Sequence, residues 1–321
     1  RDFTSRVYVD KGRLHFMGTY LQTADSKLEL DLDLRAENWK RFKYFMEEVS
    51  MNGTIQTSSK LALSDLAHFV PEAQKLSATV HLSGKAQGPV SNLRLRNFKL
   101  TAGDSLRLEG NFHIKGLPDI KKGSINLDIQ KLYLNKADLD KIGIFQAFGI
   151  KIPAPLQNLT TASLTGTYSG NGNFDKFVSN LRLNTNAGSL HLQNTASDTT
   201  HGRSFMNGQL QAERLNIGQI LHKEDLLGSL DLETSFSMIG KSLKTMSYDI
   251  KGVASNMEID KDIMRPLYFD LDFAKNFFSG QIACHDPDLD FNLNGTVDFR
   301  SDSSNTCYQL DLRNIDLSPL H

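Results

Sequence analysis

The sequence predicts a mostly β protein: a long antiparallel meander curled into an open groove, built of repeats, with a few short helices. Three observations carry this expectation. Apolar and polar residues alternate with period 2 along much of the 321 residues, as they do in half-buried strands. Turns rich in Gly, Asn, Asp and Ser separate the alternating runs, and no long helices intervene, as in sequential hairpins. Finally, a short phrase recurs. Val90-Ser91-Asn92-Leu93-Arg94-Leu95 returns as Val178-Ser179-Asn180-Leu181-Arg182-Leu183, and more loosely as Ser255-Asn256-Met257-Glu258-Ile259.

Taken in order, the first clear strand is Leu28-Glu29-Leu30-Asp31-Leu32-Asp33-Leu34-Arg35, with four leucines on one face and four charges on the other. Trp39 to Val49 follows as a helix, with Asn38 as N-cap and Trp39, Phe42, Phe45/Met46 and Val49 on its apolar stripe. Ser64 to Val70 reads as a second short helix, capped by Ser64 and stopped by Pro71. Alternation resumes at Leu106/Leu108 and Phe112/Ile114, then Ile125/Leu127/Ile129. Lys136 to Phe148 is a weaker helical candidate. Leu190/Leu192 come next, then a second weak helix at Ile217 to Leu226, then Leu230/Leu232. The last strands carry Phe269/Leu271/Phe273, Phe291/Leu293 and Val297/Phe299. Runs close on leucine-rich phrases at Leu127–Leu132, Leu210–Leu215 and Leu310–Ile315. The expectation is one elongated domain, residues 1–321, of about four units: 1–77, 78–164, 165–247 and 248–321.

Composition narrows the function classes. Hydrophobic residues make up 39% and charged residues 23%, which suits sheets with one apolar and one wet face. A net charge of −1 and a pI of 6.8, with no Lys/Arg-rich tract, argue against a nucleic-acid partner. Cys284 and Cys307 fall in the first and third of three consecutive strands, about 9–10 Å apart, so they are expected to be unpaired. No stretch approaches the ~20 apolar residues of a membrane helix. The chain opens on Arg1 without a signal peptide and is expected to be a fragment of a longer protein.

Little resembles catalytic chemistry. His285-Asp286-Pro287-Asp288-Leu289-Asp290 alternates acids as a Ca²⁺ loop does, but Phe291 and Val297 stand where such a loop needs glycine and glutamate. A hairpin turn is the simpler reading. The nine histidines show no zinc spacing, and Ser83-Gly84-Lys85 lacks the preceding glycine of a phosphate loop. Asp31, Asp33, Asp270 and Asp272 alternate with apolar residues, as on solvated strand faces. No enzyme, metal or cofactor is expected.

The physical problem is the apolar face. Each large apolar side chain buried is worth about 1.5–3 kcal/mol, so a dozen cannot stay in water. A barrel needs a fixed strand count, which an open-ended repeat does not specify, and a sandwich usually shows crossing connections. A curled trough fits sequential hairpins best.

The alternation, the leucine-rich closing phrases, Ser83 to Leu93, Gly110 to Ile120 and Ser64 to Glu72 together resemble the AsmA/TamB-like proteins, most closely the TamB-type proteins of Bacteroidetes. That resemblance spans most of 40–321. It implies a periplasmic segment of a protein anchored in the inner membrane, with a sheet folded like a taco shell whose groove carries lipid towards the outer membrane. The anchor and an outer-membrane barrel partner would be reached through regions outside this chain. Phospholipid acyl chains are the expected ligands. Expected lining residues are Leu28, Leu30, Leu32, Leu34, Leu106, Leu108, Phe112, Ile114, Leu190, Leu192, Phe269, Leu271, Phe273, Phe291 and Leu293. The alternative is a scaffold for outer-membrane protein assembly, offering its sheet edge to unfolded strands.

Overall fold

A computed structural model describes residues 2–68, 74–143, 145–146, 149, 151, 157–198, 204–240, 247–274, 276–286, 289–299 and 305–315. The fold class is as expected: an antiparallel β meander with a few short helices. The chain divides into two compact units, Arg1–Ala154 with Leu159–Phe174, and Pro155–Asn158 with Asp175–His321. The expected boundary at 164/165 falls inside a strand.

In the first unit the strands are β1 (Asp2–Asp10), β2 (Arg13–Gln22), β3 (Lys27–Arg35), β4 (Ser50–Ile55), β5 (Lys60–Ala62), β6 (Thr79–Gly88), β7 (Asn92–Ala102), β8 (Leu106–Lys115), β9 (Ser124–Asn135) and β10 (Thr161–Asn171). Each pairs antiparallel with the next, except that β4 and β5 act as one interrupted strand between β3 and β6. In the second unit β11 (Phe177–Thr185), β12 (Gly188–Asp198), β13 (Ser204–Asn216), β14 (Ser229–Gly240) and β15 (Ser247–Ser255) run on in the same way. The third, looser copy of the recurring phrase departs from the pattern. Met257–Ile259 (β16) and Asp262–Met264 (β17) form their own hairpin, and β15 pairs instead with β18 (Leu267–Ala274). The sheet of this unit then continues through β19 (Phe277–His285), β20 (Leu289–Asp298) and β21 (Asn305–Ile315). Cys284 on β19 and Cys307 on β21 are separated by β20 and are free thiols.

Bulges keep the leucines on one face. In all three closing phrases the spacing slips from two residues to three, and the extra residue falls at the same place: Gln130, Glu213/Arg214 and Arg313. Without it every later side chain would flip to the other face. Three bulges share a further device. Gly18, Asn97 and Arg214 adopt φ of 55, 49 and 48°, a left-handed conformation that points the backbone N–H out of the ladder. A side chain on the next strand accepts that hydrogen: Asp31 at 2.6 Å, Asn111 at 3.0 Å and Asp231 at 2.7 Å.

Three of the short helices begin behind asparagine caps. Asn38 accepts from Lys40 N at 3.0 Å, Asn135 from Ala137 N at 2.9 Å and Asn216 from Gln219 N at 2.8 Å. The first helix differs from its amphipathic reading. Trp39–Tyr44 is 3-10 and only Phe45–Glu48 is α-helical. Three residues per turn align Trp39, Phe42 and Phe45 in one stripe, and Trp39 and Phe45 remain exposed while Val49 is fully buried. The second, Leu63–His68, is also 3-10 and starts before Ser64; Val70 and Pro71 lie outside the described residues. Lys136–Ile142 ends where Gly143 turns left-handed, and Ile217–Leu221 ends at His222 for the same reason, both short of the expected termini. In the first unit Leu76 and Ile142 close over Val80 and Ala102, with Leu61, Leu82, Leu100 and Leu106 packed around them.

Candidate functional site

The register places all fifteen expected lining residues on the apolar face of their unit, eight in the first and seven in the second. One cross-strand row in the first unit runs Val7–Phe16–Leu32–Gly53–Ala86 and on through Leu95–Phe112–Leu127–Tyr168. The matching row in the second runs Leu181–Leu192–Leu210–Thr234–Gly252 and on through Phe269–Ile282–Leu293–Leu310. Leu34 is buried and the other fourteen are half-buried. Leu106 belongs to the packed cluster under Ile142, so its contacts are protein.

Alternation alone missed the lining residues that follow a bulge or stand opposite a known one: Phe98, Ile250, Phe278, Ile282 and Leu310. It also gave no reason for the strand glycines, which the register supplies. Gly208 faces Phe236, Gly252 faces Phe269 and Gly280 faces Leu271. A Cβ on these glycines would lie 2.7, 2.9 and 2.6 Å from the opposing side chain. The large side chain therefore lies flat across its neighbour, and the lining stays low above the sheet. Gly280 pairs with Gly295, over which a Cβ would meet nothing nearer than 3.5 Å. A cavity of about 340 Å³ opens there, walled by Leu271, Phe278, Ile282, Leu293, Val297 and Tyr308.

The opposite face is polar, and its acids are more engaged than a solvated face requires. Asp33 is only 8% exposed, held by Arg13 and Arg35 at 2.7 Å each. Burial alone would raise its pKa; the hydrogen bonds from the two guanidinium groups outweigh that and hold it below the ordinary carboxylate value. Asp31 serves the Gly18 bulge, and Asp270 pairs with Lys251 at 3.2 Å. In the acidic run, Asp286 N donates to Leu289 O and Leu289 N returns a bond, which makes it a turn. Arg265 contacts Asp286, and His285 contacts Asp290 at 3.1 Å. Pro287 and Asp288 lie outside the described residues. Among the described residues no cluster of three potential metal ligands occurs.

The recurring phrase acquires a partner that its sequence did not reveal. Asn92 lies 2.7 Å from His113 Nε2, and Arg94 stands directly across from the same histidine. In the second unit Asn180 lies 2.8 Å from His191 Nε2, with Arg182 directly across. Asn and Arg two residues apart bracket one histidine of the following strand in both copies. No family model, curated protein or solved structure matches the chain.

Proposed function

We infer that this chain is a segment of an AsmA/TamB-like bridge whose apolar sheet face carries lipid acyl chains between the inner and outer membranes, without chemical turnover. The observation that carries the reading is the cross-strand row of each unit, apolar apart from Thr234 and built largely of half-buried leucines and phenylalanines, on which one closed cluster packs among the described residues, around Leu106. Acyl chains satisfy such a face as protein would, and they leave it free to exchange. The cavity floored by Gly280 and Gly295 supports the reading, since its walls are almost wholly hydrocarbon.

Native mass spectrometry on gently purified protein tests this. Phospholipid should copurify, and Leu271→Asp should reduce the lipid-bound fraction at least tenfold, because a carboxylate in hydrocarbon costs several kcal/mol. Protein that arrives lipid-free from membranes contradicts the reading. The assembly scaffold is a second reading, favoured by edge strand β1, which pairs only with β2 among the described residues and leaves Phe3, Val7 and Val9 exposed. Delipidated protein that binds an outer-membrane strand peptide would support it.

A further inference from the structure

On the polar face of the first unit, basic side chains face one another. Lys85 of β6 stands directly opposite Arg96 of β7, and Arg94 directly opposite His113 of β8. Lys115, two residues beyond His113, lies opposite Asn92. Among the described residues Lys85, Arg94, Arg96 and Lys115 have no carboxylate partner, whereas neighbouring Lys99 is paired with Glu109 at 3.2 Å. Thr79–Lys115 carries Lys85, Arg94, Arg96, Lys99, Arg107 and Lys115 against Asp104 and Glu109, in a chain whose net charge is −1. Like charges directly opposite in a sheet, as at Lys85 and Arg96, are destabilising.

We propose that the polar face of β6–β8 docks on the phosphate layer of an anionic phospholipid membrane. The four long cations are exposed on flexible stems. They are spread over three adjacent strands, about 10 Å across, with the amides of Gln87, Asn92 and Asn111 between them. An array without walls fits a layer of phosphates better than a single phosphate, which needs donors converging from several sides. The surroundings of His113 fit this reading: burial lowers its pKa first, and the charges of Arg94 and Lys115 lower it further. This surface lies on the side of the sheet opposite the apolar rows, so it stands or falls independently of lipid carriage.

Flotation of the full chain with vesicles tests it. Binding is expected to vesicles of phosphatidylglycerol and phosphatidylcholine at low ionic strength, weakening as salt rises. Lys85→Gln combined with Arg96→Gln should lower the partition coefficient roughly 30-fold, since each basic side chain near the surface contributes about 1 kcal/mol. Circular dichroism should show the same strand content in the variant. Equal binding to pure phosphatidylcholine, or unchanged binding by the variant, overturns the proposal. So does displacement by inorganic phosphate at constant ionic strength, which would mark a single-anion site. Displacement by a short DNA duplex at matched ionic strength would assign the surface to nucleic acid instead.

Discussion

In β7–β10 and β11–β14 the same phrase opens the first strand, a bulged leucine-rich phrase closes the third, and an asparagine-capped helix follows. What differs is how each copy treats its two faces. In the first, Ile142 at the end of the helix joins Leu76 over Val80 and Ala102 and makes a closed cluster. In the second the helix stops after five residues, and Leu221 and Leu226 stay about half exposed. On the polar face the first copy places Arg96 and Lys115 beside its Asn–Arg–His group, while the second has Asn184 and Gln193 in those positions. One backbone plan thus serves two surfaces. Alternation and bulges fix the sheet, and substitutions that leave both intact set what each face meets.

The largest contrast should appear when a charge is placed under the cover. Val80→Asp buries a carboxylate without a partner and should cost the first unit about 4 kcal/mol or more. Leu190→Asp, in a half-buried position of the second unit, should cost about half as much, because water reaches it. Urea denaturation followed by circular dichroism compares the two. A second contrast concerns ion pairs. Asp33→Asn leaves two arginines without their shared carboxylate and should cost about 2 kcal/mol, whereas Asp270→Asn, in a pair about half exposed on both sides, should cost less than about 1 kcal/mol. The pH dependence follows. The Asp33 pKa is lower folded than unfolded, so its contribution is complete above the unfolded value and is lost as pH falls through the folded one. Wild type should lose stability over that acid range, and the Asp33→Asn variant should lose less.

A smaller effect is expected at the bulges. Asp231 accepts from Arg214 N and from Asn256, and these bonds, the backbone one first, outweigh burial and hold its pKa low. Asp231→Ala should cost about 1–2 kcal/mol. Arg214→Gly should change stability least, by no more than about 0.5 kcal/mol, because relief of the left-handed conformation offsets the entropy of an added glycine. Transplanting the first copy's charges into the second, Asn184→Arg with Gln193→Lys, should strengthen binding to anionic vesicles in the flotation assay. No gain would show that charge on this face is not what separates the two copies.

Most of the sheet was legible because a strict period of two has one structural meaning. Leu28 to Arg35 and Phe269 to Phe273 needed nothing else. The bulges were present too, as the slip from Leu127-x-Ile129 to Ile129-x-x-Leu132, but in one sequence such a slip looks the same as irregular spacing. Positions fixed by pairing were not legible. That Phe236 lies over Gly208, or that His113 falls between Asn92 and Arg94, depends on registers set by turns and bulges many residues away. The burial of Asp33 likewise depends on Arg13, twenty residues earlier and on another strand. Trp39 stands exposed at the start of a 3-10 helix, where the sequence suggested an α-helix.

The apolar face as a bed for acyl chains is tested most directly at two adjacent residues of β20. Leu293 lies on the apolar row and Asn294 on the polar row. A photoreactive amino acid introduced at each position, in protein purified from membranes, should crosslink to lipid at 293 and not at 294. Equal labelling at both positions, or none at 293, would contradict the account.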